Sequence, residues 1–172
     1  MEPANRRTGP LRSSQSARHN RFLIFAAVAL IALAIYLPTL RYGFVWDDND
    51  LIRNNEFLTR TNPIDIFTRG FWHNPVYIEV ELSYYRPLVN LSFYFERQFW
   101  GLNPSGYHLT NVLIHAVAVL LFCLILFELF GSTELAALGG LILGVHPALN
   151  CAVTFISNRT YLLALLMLLV AL

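Results

Sequence analysis

Apolar residues in this chain come in long blocks separated by polar stretches, and the block lengths are those of membrane helices. From Phe22 to Leu40 runs an apolar stretch of about nineteen residues, enough to cross the hydrocarbon core of a bilayer. A second block, Tyr107 to Phe130, is long enough to cross at a tilt. Gly131-Ser132-Thr133-Glu134 reads as a tight turn, and Leu135 to Val145 begins a third span that breaks at His146-Pro147. The chain re-enters the membrane from about Ala152 and meets Arg159 at the start of its last apolar run. The predicted spans are therefore about 22–40, 107–130, 133–148 and 152–172. After Arg159 only about a dozen apolar residues remain, fewer than the 17–25 of a full span, which predicts a C-terminally truncated fragment of a longer polytopic protein.

The polar stretches set the orientation. Residues 1–21 are basic and nearly free of apolar side chains, and they read as a disordered cytoplasmic tail. Arg6, Arg7, Arg12, Arg18 and Arg21 all precede the first span, so the positive-inside rule puts its start in the cytoplasm. A cleaved signal peptide would have a shorter apolar region, about 7–15 residues, followed by a small-residue cleavage site; here the run ends in Leu37-Pro38-Thr39-Leu40. Residues from about 41 to 106 then form an external loop facing the periplasm or an equivalent lumen, most simply outside a bacterial inner membrane. A loop this long carries function or structure of its own. Short helices are expected from Asp48 to Asn55, from Pro63 to Phe67, and from Pro87 to Trp100 with Gly101 as its stop, with Phe71 to Ser83 irregular. In the last helix, Leu88, Leu91, Phe95 and Phe99 repeat at helical spacing against Glu96, Arg97 and Gln98, a pattern suited to the membrane interface.

Composition agrees with the pattern. Of 172 residues 56% are hydrophobic and 13% charged, about half the charged share of soluble domains. The fold class is all-α integral membrane: a multi-pass helical bundle with a helical first external loop. All basic side chains are arginines and the net charge is +1, a distribution that gives no basic face for nucleic acid. Cys123 and Cys151 have neither disulfide-framework nor metal-ligand spacing.

With this topology the ionisable groups gather at one depth. Asp47 and Asp48 follow the first span, behind Tyr42, Phe44 and Trp46. Arg86 opens the interfacial helix. His108, Asn111 and His115 fall within about 60° of one another on the outer part of the second span. His146 and Arg159 sit at the outer ends of the third and fourth. Ionisable groups at membrane depth are costly and mark function or pairing. The chemistry that suits acids facing bases here is group transfer from a lipid-linked phosphate donor. Asp47 and Asp48 are the candidate catalytic carboxylates, able to take a proton from an acceptor hydroxyl. Arg86, His108, His146 and Arg159 are the candidate donor-phosphate groups. Each has a plainer reading as well. Asp47 or Asp48 caps a helix starting near Asn49. Arg86 pairs with one of the aspartates or anchors at the interface. The histidine–asparagine stripe bonds helix to helix. His146 with Pro147 ends a helix, and Arg159 snorkels. His73, Glu79 and Glu81 are most simply solvated.

Phe44-Val45-Trp46-Asp47-Asp48, Asn54-Asn55, Tyr85-Arg86-Pro87-Leu88, Gly106-Tyr107-His108-Leu109-Thr110-Asn111 with His115, and His146-Pro147, in this order and spacing, resemble the N-terminal part of the transmembrane-and-TPR O-mannosyltransferases and their bacterial relatives, which are GT-C glycosyltransferases. The resemblance extends over roughly residues 22–165. It implies a GT-C-like multi-pass enzyme using a polyprenyl- or dolichyl-phosphate sugar, often mannose, a protein or glycan acceptor hydroxyl, a divalent metal as a further candidate, and a catalytic base at Asp47 or Asp48. It also implies further spans and TPR repeats downstream. Leu149, Cys151 and Tyr161 stand where the family pattern commonly has polar residues. The alternative is a non-catalytic, truncated relative acting as a membrane scaffold. A transporter fragment fits less well, since its polar breaks belong at the bilayer midplane.

Overall fold

The computed structural model describes residues 10–60, 62–68 and 84–172. His73, Glu79, Glu81 and the stretch expected to be irregular lie outside them, as does the first part of the basic tail. Every regular element among the described residues is helical. Helix α1 spans Pro10–Tyr36 and runs on into a 3-10 turn, Leu37–Arg41. A single π turn covers Asn49–Arg53, α2 covers Phe57–Arg60, and a 3-10 turn covers Pro63–Phe67. Then come α3 (Pro87–Trp100), α4 (Pro104–Phe130) and α5 (Thr133–Val145). A 3-10 turn at Pro147–Leu149 leads to α6 (Asn150–Thr154), and another at Ile156–Asn158 leads to α7 (Arg159–Ala171). Among the described residues two helices, Gln15–Arg41 and Pro104–Phe130, are long and apolar enough to cross a membrane, the bent pair Thr133–Val145 and Pro147–Thr154 is a third if it is one span, and the chain is an integral membrane protein.

The boundaries follow local chemistry. Helix α4 starts three residues before the apolar run because the Asn103 Oδ1 accepts from the Ser105 N–H at 3.2 Å and Pro104 suits the first helical position. It ends at Gly131, whose φ of +68° is the left-handed stop that other residues resist. Ser132 then caps α5 by accepting from the Leu135 N–H at 3.2 Å. At His146-Pro147 the backbone bends by 46°, the break that the sequence predicts. At the other end, α1 is already helical at Pro10, twelve residues before Phe22, where the sequence reads as a disordered tail. No glycine or proline interrupts it between Leu11 and Tyr36, and Arg, Gln and Ala favour the helix. Arg21 lies over the Phe127 ring at 3.8 Å, tying α1 to the last turn of α4.

Helices α1, α4 and α5 pack on one another around Phe25, Val28, Ala32, Val119, Cys123 and Ala136. Small residues let the helices close: a Cβ on Gly144 would stand 2.9 Å from the Cβ of Ala32. Above this bundle sits a second apolar layer, in which Leu51, Ile52 and Leu58 of the external loop meet Val89 and Phe93 of α3, Tyr107 of α4 and Ile156. That layer fixes the loop on one end of the helices. Helix α3 packs one face against the loop layer and α4. Val89, Asn90, Phe93 and Glu96 are buried, while Leu88, Phe95 and Phe99 are exposed. Burial follows the ion pair of Glu96 described below. The apolar stripe is left facing outward, where an interfacial helix meets lipid.

Candidate functional site

The diacidic stretch makes a sharp turn. Trp46 has φ of +46°, a left-handed conformation that costs a bulky residue and is rare outside sites that need it. The turn closes through the Asp48 N–H donating to the Val45 carbonyl at 2.9 Å and the Asn49 N–H donating to Trp46 at 3.0 Å. It separates the two aspartates. Asp47 is exposed, whereas Asp48 is 0% exposed. The carboxylate of Asp48 accepts from the Val45 N–H at 3.2 Å through Oδ2 and from the Ser157 N–H at 2.8 Å through Oδ1. Capping does not explain it, because Asp48 accepts nothing from the turn that follows. It reaches back to Val45 and across to the turn before α7 instead. Burial pushes the Asp48 carboxyl above the usual carboxylate range, and the two backbone donors pull against that shift.

Ser157 is held in place by its neighbour two residues on. Arg159 is 0% exposed, and its guanidinium is engaged on several sides. Nε donates to Asn111 Oδ1 at 2.7 Å, Nη1 to Ser92 Oγ at 3.0 Å and to Glu96 Oε2, and Nη2 to the Tyr107 carbonyl at 2.9 Å. The Phe93 ring closes the group at 4.8 Å. This single side chain therefore joins α7 to α3 and α4. Burial raises the Glu96 carboxyl, with Arg159 opposing the shift, and Glu96 Oε1 is buried without a hydrogen-bond partner. In this arrangement Arg159 neither snorkels nor presents donors to a phosphate.

The stripe on α4 divides. Asn111 Nδ2 donates to the carbonyls of Val153 at 3.3 Å and Phe155 at 3.1 Å, and His115 Nε2 lies 3.1 Å from the Gly144 carbonyl. Both bond helix to helix. His108 does not. It is 1% exposed and lies edge-on to Tyr42 at 6.1 Å, and neither ring nitrogen makes a well-formed hydrogen bond, with the Gly43 carbonyl facing the ring. It lines a hollow of about 330 Å³ with Tyr42, Val45, Trp46, Thr154 and Phe155.

The two remaining candidates lie elsewhere. Arg86 is half-buried at the start of α3, donates from Nη1 to Thr160 Oγ1 at 3.3 Å and lies 5.2 Å from the Tyr84 ring. It opens on a cleft of about 250 Å³ whose far wall is Leu163, Ala164 and Met167 of α7. His146 is exposed and its Nδ1 accepts from the Ala148 N–H at 3.1 Å, so it caps the turn that Pro147 starts. It borders an apolar hollow of about 490 Å³ that no other candidate lines. Among the described residues no three His, Cys, Asp or Glu side chains come together as a metal site. The structure thus joins Asp47, Asp48, His108 and the turn before Arg159 in one place and leaves His146 apart.

Two participants escape the sequence reading. Glu96 is one turn from Ser92 on the buried face of α3, and that spacing of polar residues is its only signal. Ser157 acts through its backbone N–H, for which residue type gives none.

No family model matches the chain, and no solved structure matches it. Curated relatives do. Protein O-mannosyl-transferase Tmtc1 of Drosophila melanogaster is 34% identical over 147 residues, 85% of this chain and 17% of that protein. Protein O-mannosyl-transferase tmtc2 of Xenopus laevis is 37% identical over 130 residues, 75% of this chain and 16% of that protein. Protein O-mannosyl-transferase TMTC3 of Homo sapiens is 34% identical over 135 residues, 78% of this chain and 15% of that protein. The resemblance carried by the motifs thus holds over most of the chain, and the chain spans about a sixth of the length of these relatives.

Proposed function

We propose, from this kinship with protein O-mannosyl-transferases, that the chain supplies the outer-face part of a glycosyl-transfer site in which Asp47 is the general base and Asp48 holds it in place. The observation that carries the reading is the split between the aspartates: Asp48 is enclosed with both oxygens on backbone donors, and Asp47 stands exposed at the same turn. The acceptor is a hydroxyl on a protein. The donor is a mannosyl unit on a polyprenyl-type phosphate, which reaches the site from the bilayer. The hydroxyl oxygen attacks the anomeric carbon while the bond from that carbon to the phosphate oxygen breaks. The electron pair leaves on the phosphate, and Asp47 takes the hydroxyl proton. The leaving phosphate needs a cation. Arg159 is enclosed, and Arg86 and His146 open on other hollows, so we assign that cation to a group outside the described residues of the turn.

The Arg-rich start of α1 supports a cytoplasmic N-terminus, which puts the 41–106 loop and the diacidic turn on the opposite face. The named relatives are animal proteins and lend no support to the expected bacterial inner membrane. The test is transfer of labelled mannose from a polyprenyl-phosphate donor by membranes carrying the longest natural reading frame that contains this sequence. Asp47→Asn is expected to abolish transfer, by on the order of 100-fold or more, with unchanged insertion. Retained transfer by that variant removes Asp47 from the chemistry, and absence of transfer by the parent leaves the scaffold reading in its place.

A further inference from the structure

The hollow beside the diacidic turn holds the least satisfied polar side chain on the outer face of the molecule. His108 is 1% exposed, and neither ring nitrogen makes a well-formed hydrogen bond, the Gly43 carbonyl being the backbone acceptor that faces the ring. Burying an imidazole this way costs free energy that a ligand in the hollow would return. The wall chemistry says what kind of ligand. Aromatic rings line it, Tyr42 together with Trp46 and Phe155, the latter pair 5.9 Å apart. Trp46 is 82% exposed and is held over the hollow by its left-handed backbone. No arginine lines the space among the described residues, and the buried Asp48 carboxylate is close enough to His108 for their charges to interact. The Arg159 charge also reaches His108, but that guanidinium is already engaged by Glu96, Asn111, Ser92 and the Tyr107 carbonyl. An anion in the hollow would therefore meet the Asp48 carboxylate without an open cation, and His108 suits a neutral ligand better than a phosphate. A neutral imidazole offers one donor and one acceptor, and a hydroxyl is both. A ring with apolar C–H faces and hydroxyl edges matches aromatic walls around such a group. The volume, about 330 Å³, falls at the small end of ligand pockets.

We propose that this hollow is the hexose subsite, with His108 reading a ring hydroxyl and Trp46 stacking on the ring. The proposal rests on the glycosyl-transfer reading and makes His108 a specificity-determining residue rather than a donor-phosphate contact. It also explains why the strained turn matters: the left-handed Trp46 lines the hollow, and Asp47 follows it directly in the chain.

The test is binding, so that it does not depend on turnover. The same natural protein carrying Asp47→Asn is purified in detergent, and methyl α-mannoside and its monodeoxy analogues are titrated by ligand-observed NMR. His108→Ala is expected to weaken mannoside binding about tenfold, the effect of one lost buried hydrogen bond, and His108→Gln to recover part of it. One deoxy analogue should lose as much against the parent and lose nothing further against His108→Ala. Trp46→Gly removes the ring at a backbone position glycine prefers, so it weakens binding without unfolding the turn. Equal mannoside affinity in parent and His108→Ala overturns the proposal. So does displacement of mannoside by inorganic phosphate, or binding of a Ser/Thr peptide in its place. None of those results touches the assignment of Asp47, which the transfer assay tests separately.

Discussion

Replacing Arg159 by methionine removes the charge that joins α7 to α3 and α4 while keeping much of the side-chain length. The guanidinium is 0% exposed and donates to Asn111, Ser92, Glu96 and the Tyr107 carbonyl. Without it, Glu96 keeps a buried carboxylate whose Oε1 already lacks a partner. Removing one member of a buried ion pair costs about 3–5 kcal/mol, because the other is left uncompensated. For a domain of this size each kcal/mol moves the unfolding midpoint by about 2–4 °C, so a fall in Tm on the order of 10 °C is expected. Removing both charges, Arg159→Met with Glu96→Leu, should recover most of that loss, since an apolar pair of similar volume avoids the desolvation cost. The protein contains its own reporter. Cys123 is buried in the α1–α4–α5 core and Cys151 is exposed, so in a Cys151→Ser background a thiol-reactive dye labels the chain only as the bundle opens. If Arg159→Met labels at the same temperature as the parent, the guanidinium is not committed to this network. The argument that it is closed to a donor phosphate then fails.

The same dye assay reads two more predictions. Gly144→Leu puts side-chain atoms where a Cβ alone would stand 2.9 Å from Ala32 and 3.5 Å from Val119, and overpacking of this kind costs about 1–3 kcal/mol; unchanged labelling would mean that the helices do not meet there. Burial raises both Asp48 and Glu96, so the folded chain holds more protons than the unfolded one just above the ordinary carboxylate range. Stability should therefore be greatest at acid pH and fall as pH rises from about 4 through the mildly acidic range. Asp48→Asn should flatten part of that slope, and a Tm that climbs with pH over the same window would contradict the burial of these groups.

The parts of this fold that depend on local signals are the parts a reader of the sequence can place. Block length gives the long helices, Asn103-Pro104 and Gly131 bracket α4, and His146-Pro147 marks the bend. The sequence also brings Asp48, His108 and the turn before Arg159 within one region, while His146, expected at the same depth, lies apart. What the sequence hides is pairing across distance. Glu96 and Arg159 are 63 positions apart, and either alone reads as a solvated or snorkelling charge. Their contact accompanies burial of the face of α3 that carries Glu96, with the apolar stripe of Leu88, Phe95 and Phe99 outside. The two aspartates differ for the same reason. Nothing local distinguishes Asp47 from Asp48 until the Ser157 N–H, 109 positions away, takes one of them. The stripe on α4 looks uniform at 100° per residue. Only the carbonyls of Gly144, Val153 and Phe155 separate the residues that bind helices from His108, which faces the hollow.

The central claim is the division of labour at the diacidic turn, and one paired measurement tests it most directly. Mannosyl transfer and Cys123 labelling are measured on the same membranes for Asp47→Asn and Asp48→Asn. The account predicts that Asp47→Asn loses transfer with parental labelling, since an exposed side chain is changed. Asp48→Asn should lose transfer together with part of the thermal stability, because an amide nitrogen cannot accept from the Val45 or Ser157 N–H. Full transfer by Asp47→Asn, or loss of transfer by Asp48→Asn at parental stability, would contradict it and move the base to Asp48.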